Sequence, residues 1–189
     1  MRLLHRFSRD QRGVSAVEFA FIAPVLILIY FSVADLCQAM LAQRKVGHAA
    51  SAVGDLVTQP CPPNAAGCPP PGTVTPSELT GIYAAASSIL APFSATPIQI
   101  RVTGVITDAN DNATVDWSNA TPNWSELGHG SAVTLPANLL PASQYVIMSE
   151  VKYAYNSPIN YLFHNAINFD QVFYLRPRAS AQITCPTCT

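Results

Sequence analysis

Gly13-Val14-Ser15-Ala16-Val17-Glu18-Phe19-Ala20 begins an apolar run that ends at Ala34 and contains Glu18 as its only side chain that is charged at neutral pH. The run from Val14 to Ala34 has 21 residues. At about 1.5 Å per residue it matches the roughly 30 Å hydrocarbon thickness of a bilayer. The apolar region of a secretory signal peptide is usually shorter, about 7 to 15 residues. The pattern therefore predicts a membrane-spanning helix, and a carboxylate inside it calls for a specific reason.

Charge is distributed unevenly on the two sides of this run. The leader, residues 1–13, has four arginines and one aspartate, whereas the chain from residue 46 onward has four basic and eight acidic side chains. Because Lys and Arg beside a spanning helix favour the cytoplasm, we expect a cytoplasmic N-terminus and an exported C-terminal part. Only 11% of the residues are charged, against roughly 25% in soluble domains. The sequence has no basic patch, so we do not expect nucleic acid as a partner.

Glu18 gains a role if the chain is cut after Gly13. Cleavage would give Val14 a positive α-amino group, and the carboxylate of Glu18 would then neutralise such a group on a neighbouring subunit. A charged residue at a helix centre in lipid costs about 2.5–3.5 kcal/mol, and intramembrane acids usually face a partner. The pair would therefore set the helix register in an assembly. The alternative is an interfacial acid that an uncleaved anchor tolerates.

A basic leader ending in glycine, followed by an apolar helix with glutamate at its fifth position, resembles the prepilin signal of type IV pilins and pseudopilins. Residues 12–20, followed by Pro24-Val25-Leu26, are more specifically similar to TadE-like proteins of the bacterial tight-adherence (Tad) pilus system. The resemblance covers about residues 1–57. It implies processing after Gly13 by an inner-membrane prepilin peptidase and a pseudopilin or minor-pilin role. Val14 departs from the phenylalanine usual at this position in type IV pilins, and TadG-like proteins share the N-terminal pattern.

The helical pattern continues beyond the membrane and stops at Pro60. Apolar or small residues follow helical spacing at Leu36, Met40, Gln43, Gly47, Ala50, Val53 and Val57. Small residues here suit either contact between helices of a filament or packing on the chain's own sheet. Thr75-Pro76-Ser77-Glu78 is a capping-box sequence, which predicts a second helix from Pro76 to about Leu90.

After Pro97 the pattern changes to the two-residue period of β-strands. A hairpin is predicted from Ile98 to Trp117, with turn-forming residues at 108–112. Residues 145–155 predict a third strand, and residues 173–183 a last one with Pro177 at an edge or bulge. Four aromatic residues suit an exposed contact surface, but we expect them to pack in the core: Tyr153, Tyr155, Tyr161 and Phe163.

This order of elements predicts an α+β fold, in which a long N-terminal transmembrane helix continues into an exported domain with a second short helix and an antiparallel sheet. Pilin-like domains share this layout. The predicted parts are a leader at 1–13, a transmembrane helix at 14–35, an exported helix continuation at 36–59, a Pro- and Cys-rich loop at 60–75 and an exported α+β domain at 76–189.

Four of the five cysteines fall on the exported side, where disulfides persist. The local pairs Cys61–Cys68 and Cys185–Cys188 are our first choice, and crossed pairs stay open. We expect Cys37 to pack as a small apolar residue. The motif Cys185-Pro186-Thr187-Cys188 also occurs in thiol oxidoreductases, but there the first thiol lies at a helix N-terminus, whereas Cys185 ends a predicted strand. A zinc site of four thiolates is a further alternative.

Together these patterns predict a pseudopilin or minor pilin in the bacterial inner membrane, with its C-terminal domain in the periplasm. The expected partners are the prepilin peptidase, other pilins or pseudopilins, the inner-membrane assembly platform and membrane lipid. We expect no cofactor, no metal and no enzyme activity. An uncleaved, TadG-like anchor that presents a periplasmic binding domain is the second interpretation, and a membrane-tethered thiol oxidoreductase is the third.

Overall fold

The structure, a computed structural model, describes residues 12–59, 72–110, 112–136, 139, 144–159, 161–178 and 180–188. The leader up to residue 11 and most of the predicted Pro- and Cys-rich loop, including Cys61 and Cys68, lie outside these residues. The chain forms two compact units. Unit 1 comprises Met1–Met40 and Asn156–Ala166, and unit 2 comprises Leu41–Tyr155 and Ile167–Thr189.

Helix α1 (Arg12–Thr58) has 47 residues and begins in unit 1 and ends in unit 2. It continues through Pro24 without interruption. A helix of this length measures about 70 Å. At its last turn the hydroxyl of Thr58 donates a hydrogen bond of 3.1 Å to the carbonyl of Asp55. The predicted continuation of the apolar helix beyond the membrane-length run is therefore confirmed.

The buried face of α1 in unit 2 differs from the predicted stripe. Its buried residues are Ala42, Val46, Ala49, Ala50, Val53, Gly54, Val57 and Thr58. Gln43 is exposed, and so, in unit 1, are Leu36 and Met40. Ala50, Val53 and Val57 of the predicted stripe are buried, as expected. The prediction was wrong for Leu36, Met40 and Gln43, because alanines and valines form the face that the fold covers.

Small residues on this face pack against the chain's own sheet. The hydroxyl of Ser149 donates a hydrogen bond of 2.8 Å to the carbonyl of Ala50, and a Cβ atom placed on Gly54 would collide with the side chain of Leu175. The sequence left open whether these small residues contact other helices of a filament or pack on the chain's own sheet. In this half of the helix they pack on the sheet. In unit 1, Cys37 is a free, exposed thiol rather than a packed one.

Helix α2 (Pro76–Ile89) begins with the predicted capping box. The Thr75 hydroxyl accepts from the Glu78 amide, and the Glu78 carboxylate accepts from the Thr75 amide at 2.8 Å. At the other end of the helix, Nζ of Lys45 donates a hydrogen bond of 3.0 Å to the carbonyl of Ile89. Both ends of α2 therefore have partners for backbone groups that a helix leaves unpaired.

Four antiparallel strands form one sheet in the order β2-β1-β3-β4. Their bounds are β1 Ile98–Thr107, β2 Ala113–Ala120, β3 Tyr145–Tyr155 and β4 Ile167–Leu175. The predicted hairpin is β1–β2, and its turn is held by the Asp108 carboxylate, which accepts from the amides of Asn110 and Asn112 at 2.7 and 2.9 Å. These hydrogen bonds, above all those from Asn112, lower the pKa of Asp108. The predicted α+β class with an antiparallel sheet is confirmed.

The last strand ends earlier than predicted. Strand β4 ends at Leu175, so the predicted continuation through Pro177 to Ile183 was wrong. Pro177 has no amide hydrogen for a ladder, which ends strand pairing near it. Ile183 is nevertheless buried, and the next residue, Thr184, pairs with the segment before α2 through hydrogen bonds to Gly72 and Val74.

Both faces of the sheet are covered within unit 2. On the face of β3 that carries Ser149, the buried indole of Trp117 donates to the carbonyl of Ile183 at 2.6 Å and to the hydroxyl of Tyr145 at 2.9 Å. Burial raises the pKa of that hydroxyl. On the opposite face, a smaller cluster of Val105, Ala113, Val146 and Met148 packs against Leu127, Val133, Leu135 and Tyr174. Unit 2 therefore has its own core.

Candidate functional site

The first turns of α1 contain the three residues predicted to carry processing and assembly: Gly13, Val14 and Glu18. Gly13 is exposed, and a Cβ atom at this position would meet no atom within 4 Å. Glu18 follows Val14 by four residues, about 6 Å along the axis, so both lie on one side of the helix. An amine on residue 14 and a carboxylate on residue 18 would thus belong to one stripe of the helix surface.

Glu18 is exposed and forms no hydrogen bond or ion pair with any residue that the structure describes. It lies among large apolar side chains that are themselves uncovered: Phe19 is 67% exposed and Phe21 76%. A carboxylate in such surroundings lacks a compensating charge from the described part of its own chain.

The apolar half of α1 has the properties of a membrane span. Within the described residues, one helix is long and apolar enough to cross a bilayer, and no residue in the most apolar window of this helix is buried inside the protein. Large side chains around its whole circumference are exposed, namely Ile22, Val25, Leu26, Ile27, Leu28, Ile29, Tyr30, Phe31 and Val33. Such a surface requires lipid or other apolar helices around it.

Asp35, the residue that ends this apolar run, is fully buried. Its carboxylate accepts hydrogen bonds from the hydroxyl of Ser157 and from the backbone amides of Leu162 and Phe163, at 2.8 and 3.3 Å for the two amides. These donors belong to residues 156–166, the segment that connects β3 to β4 and belongs to unit 1. We call this segment the Asp35 loop. One carboxylate thus fastens the loop to α1 at the end of the apolar run.

Sequence reasoning missed this contact because its partners are separated by 122 to 128 positions in the chain. Two signals were present. Asp35 is a lone acid at the boundary of the apolar run, and residues 156–166 contain no Asp, Glu, Lys or Arg. The expectation that the aromatic residues pack in the core is confirmed for Tyr153 and Tyr155, which are buried, and was wrong for Tyr161, which is 44% exposed. Phe163 is half-buried.

Cys185 and Cys188 are joined by a disulfide, the local pair that was our first choice for these two residues. Cys185 is buried and directly follows the bridge that Thr184 makes with Thr73. No described helix begins at Cys185, so the structure offers no helix N-terminus to activate its thiol. Among the described residues, no group of three or more His, Cys, Asp or Glu side chains is arranged to hold a metal ion.

Comparison with protein families gives one match over part of the chain. Residues 13–55 match the model of the family described as TadE-like protein. The N-terminal segment is TadE-like. This TadE-like segment contains Gly13, Glu18 and Asp35 and ends within α1, before α2 and the sheet begin. Comparison with curated proteins and with solved structures produced no match for the chain. The TadE-like family is associated with the Tad pilus, and one long apolar N-terminal helix fits its single-pass membrane anchor.

Proposed function

We propose that this protein is a minor pilin or pseudopilin that takes part in assembly or priming of a tight-adherence pilus. The observation that carries the proposal is the TadE-like match over residues 13–55, which falls on a helix with an exposed apolar surface and a Glu18 that pairs with no described residue. A prepilin peptidase cuts the chain after Gly13, so that Val14 becomes the first residue and lies at the N-terminal end of α1.

The chain waits in the inner membrane with its N-terminus in the cytoplasm and unit 2 in the periplasm. The arginines of the leader, opposed to the acidic excess after residue 46, support this orientation. On assembly, α1 exchanges lipid for the helices of other pilins. Since apolar side chains gain little from that exchange by themselves, packing and a specific polar contact must supply the affinity.

That polar contact is the pairing of Glu18 with the α-amino group of Val14 on a neighbouring subunit. The two groups lie about 6 Å apart along one helix, so an intermolecular pair requires the neighbour to be displaced axially by about one turn. An ion pair inside the apolar bundle offsets the cost of a lone carboxylate there. The pair therefore favours one register of the neighbouring helices.

Unit 2 serves as the interaction surface of the exported part and not as an enzyme. The Cys185–Cys188 disulfide closes a short loop directly after a strand bridge, and Cys185 is buried, which supports a structural rather than a redox role. Readily reduced thiols at these two positions would instead favour the membrane-tethered oxidoreductase.

Two steps of the proposal are tested by co-expression with a prepilin peptidase and the pilus machinery. The wild-type chain is expected to become shorter by about 13 residues, the length of the leader, and therefore to migrate faster in gel electrophoresis. Replacement of Gly13 by a bulky residue is expected to prevent this shift. If the wild-type chain does not shift, it is an uncleaved anchor that presents unit 2.

The Glu18→Gln variant tests assembly separately from processing, because it keeps the size of the side chain and removes its charge. It is expected to be cleaved normally and to be lost from cross-linked complexes with pilus subunits. The matched control is Asp170→Asn, which removes an exposed carboxylate from β4 and is expected to assemble normally. Normal assembly of Glu18→Gln would show that the carboxylate is incidental.

A further inference from the structure

The Asp35 loop contains a small apolar surface that the chain does not cover. Tyr161 is 44% exposed and Leu162 47%, and both lie in the segment that Asp35 fastens to α1. The only titratable side chains in residues 156–166 are Tyr161 and His164. The flanking strands, by contrast, carry Lys152 and Asp170. The Asp35 loop therefore combines exposed apolar side chains with a sequence that contains no Asp, Glu, Lys or Arg.

This surface is continuous with the membrane-length part of α1. The ring of Tyr161 lies 6.3 Å, centroid to centroid, from the ring of Phe31. Phe31 precedes Asp35 by four residues, so it lies about 6 Å further along the axis into the apolar run. The loop is therefore attached to the helix at Asp35 and reaches with Tyr161 towards the lipid-exposed side chains.

The length of the apolar run determines the environment of this surface. Val14 to Ala34 spans roughly 30 Å at the helical rise, the thickness of the hydrocarbon layer, so Asp35 lies at the boundary of that layer. Tyrosine is enriched at this depth because its ring is apolar and its hydroxyl is polar. Leucine beside it adds apolar area without a charge that must be desolvated.

We infer that the Asp35 loop is a second membrane contact, in which Tyr161 and Leu162 insert into the boundary between headgroups and acyl chains of the exported-side leaflet. The inference rests on the proposed function to the extent that α1 must span a membrane. The occupant of this surface is lipid. Asp35 is the positioning residue, because its carboxylate holds the backbone amides of Leu162 and Phe163 next to the helix.

The inference is tested with the full-length chain reconstituted into vesicles of phosphatidylglycerol and phosphatidylethanolamine that contain brominated acyl chains, which quench tryptophan by contact. Tyr161→Trp places an indole at the proposed contact. The emission of Trp117 and Trp124 is removed by subtracting the spectrum of the wild-type chain. The matched control is Phe173→Trp, because Phe173 is an aromatic residue of similar exposure, 37%, on β4 in unit 2.

The added indole at residue 161 is expected to show blue-shifted emission and to be quenched most strongly by lipids brominated near the glycerol end. The indole at residue 173 is expected to show neither effect. In the double variant Tyr161→Trp with Asp35→Ala, the quenching is expected to be lost although the chain stays in the vesicles. Loss in the double variant links the lipid contact to the carboxylate.

Three results would overturn the inference. One is an indole at residue 161 that vesicle lipid leaves unquenched while the chain floats with the vesicles and resists alkaline extraction. Another is equal quenching at residues 161 and 173. The third is a blue shift that disappears when protein is diluted in lipid, because this would assign the surface to a second copy of the chain. A chain that fails to float contradicts the proposed membrane span itself, which separates the two failures.

Discussion

Replacement of Asp35 tests whether one buried carboxylate holds the Asp35 loop on α1. Asp35→Ala removes the acceptor for the Leu162 and Phe163 amides and for the Ser157 hydroxyl. Each hydrogen bond to a charged group contributes about 1.5–3 kcal/mol. Two backbone amides that lose their partner therefore destabilise the closed loop by about 4 kcal/mol. The hydroxyl adds little, because it can rotate towards another acceptor.

Asp35→Asn is the matched variant. Its amide oxygen can accept from the two backbone amides, and its NH₂ group can donate to the Ser157 hydroxyl, so all three contacts survive without the charge. Hydrogen bonds to a charged group contribute about 1.5–3 kcal/mol and neutral ones about 0.5–1.5 kcal/mol. The expected loss is about 2 kcal/mol, roughly half that of Asp35→Ala.

Amide hydrogen exchange in the reconstituted full-length chain measures these losses. Since 1.4 kcal/mol corresponds to a factor of ten, exchange of the Leu162 and Phe163 amides should accelerate about 1,000-fold in Asp35→Ala and about 30-fold in Asp35→Asn. The acceleration stops at the rate of an unstructured peptide. Peptides from β2 in unit 2 serve as an internal control and should be unaffected. Unchanged exchange of these two amides in Asp35→Ala would refute the reasoning.

Two further predictions concern the stability of unit 2, measured by chemical unfolding of the detergent-solubilised chain with near-ultraviolet circular dichroism. Gly104→Ala should destabilise unit 2 by about 1–3 kcal/mol, because its Cβ would lie 2.6 Å from Nε1 of Trp117 and would also collide with the Tyr145 hydroxyl. Gly81→Ala in α2, where a Cβ would meet no atom within 4 Å, should instead stabilise by about 0.5–1 kcal/mol, and equal effects of the two substitutions would contradict the packing described. Thr75→Ala should cost about 1 kcal/mol through loss of the capping box, whereas Thr75→Ser should retain most of it. An alanine variant as stable as the serine variant would show that the cap contributes nothing.

Features determined by neighbouring residues were predictable from the sequence. The capping box at Thr75, the turn held by Asp108 and the long apolar helix each depend on residues within a few positions of one another. The α+β class followed from the order of these elements. Their bounds were less certain where two signals competed, as at Pro177, which favoured an end of pairing while the alternating pattern continued past it.

Features that depend on long-range packing were not predictable in the same way. The buried face of α1 was predicted only in part, because helical spacing alone does not say which side the sheet will cover: Val53 and Val57 are buried, whereas Gln43 is exposed. The Asp35 loop was missed because local patterns do not reveal a hydrogen bond between residues 122 positions apart. In both cases the decisive partner is brought close only by the tertiary fold.

The three residues proposed for processing and assembly were predictable only as a sequence pattern. Gly13, Val14 and Glu18 were identified from a pattern, and their roles depend on a peptidase and on neighbouring subunits. The structure adds that Gly13 and Glu18 are exposed and that Glu18 has no partner among the described residues. Both properties are required by the proposed roles.

The mature N-terminus, determined by mass spectrometry of the membrane-bound chain after co-expression with the prepilin peptidase, tests the central claim most directly. The account predicts a first peptide that begins at Val14, and one that begins at Met1 when the active-site aspartates of the peptidase are replaced. A chain that still begins at Met1 beside an active peptidase would contradict the pilin function and favour an uncleaved anchor.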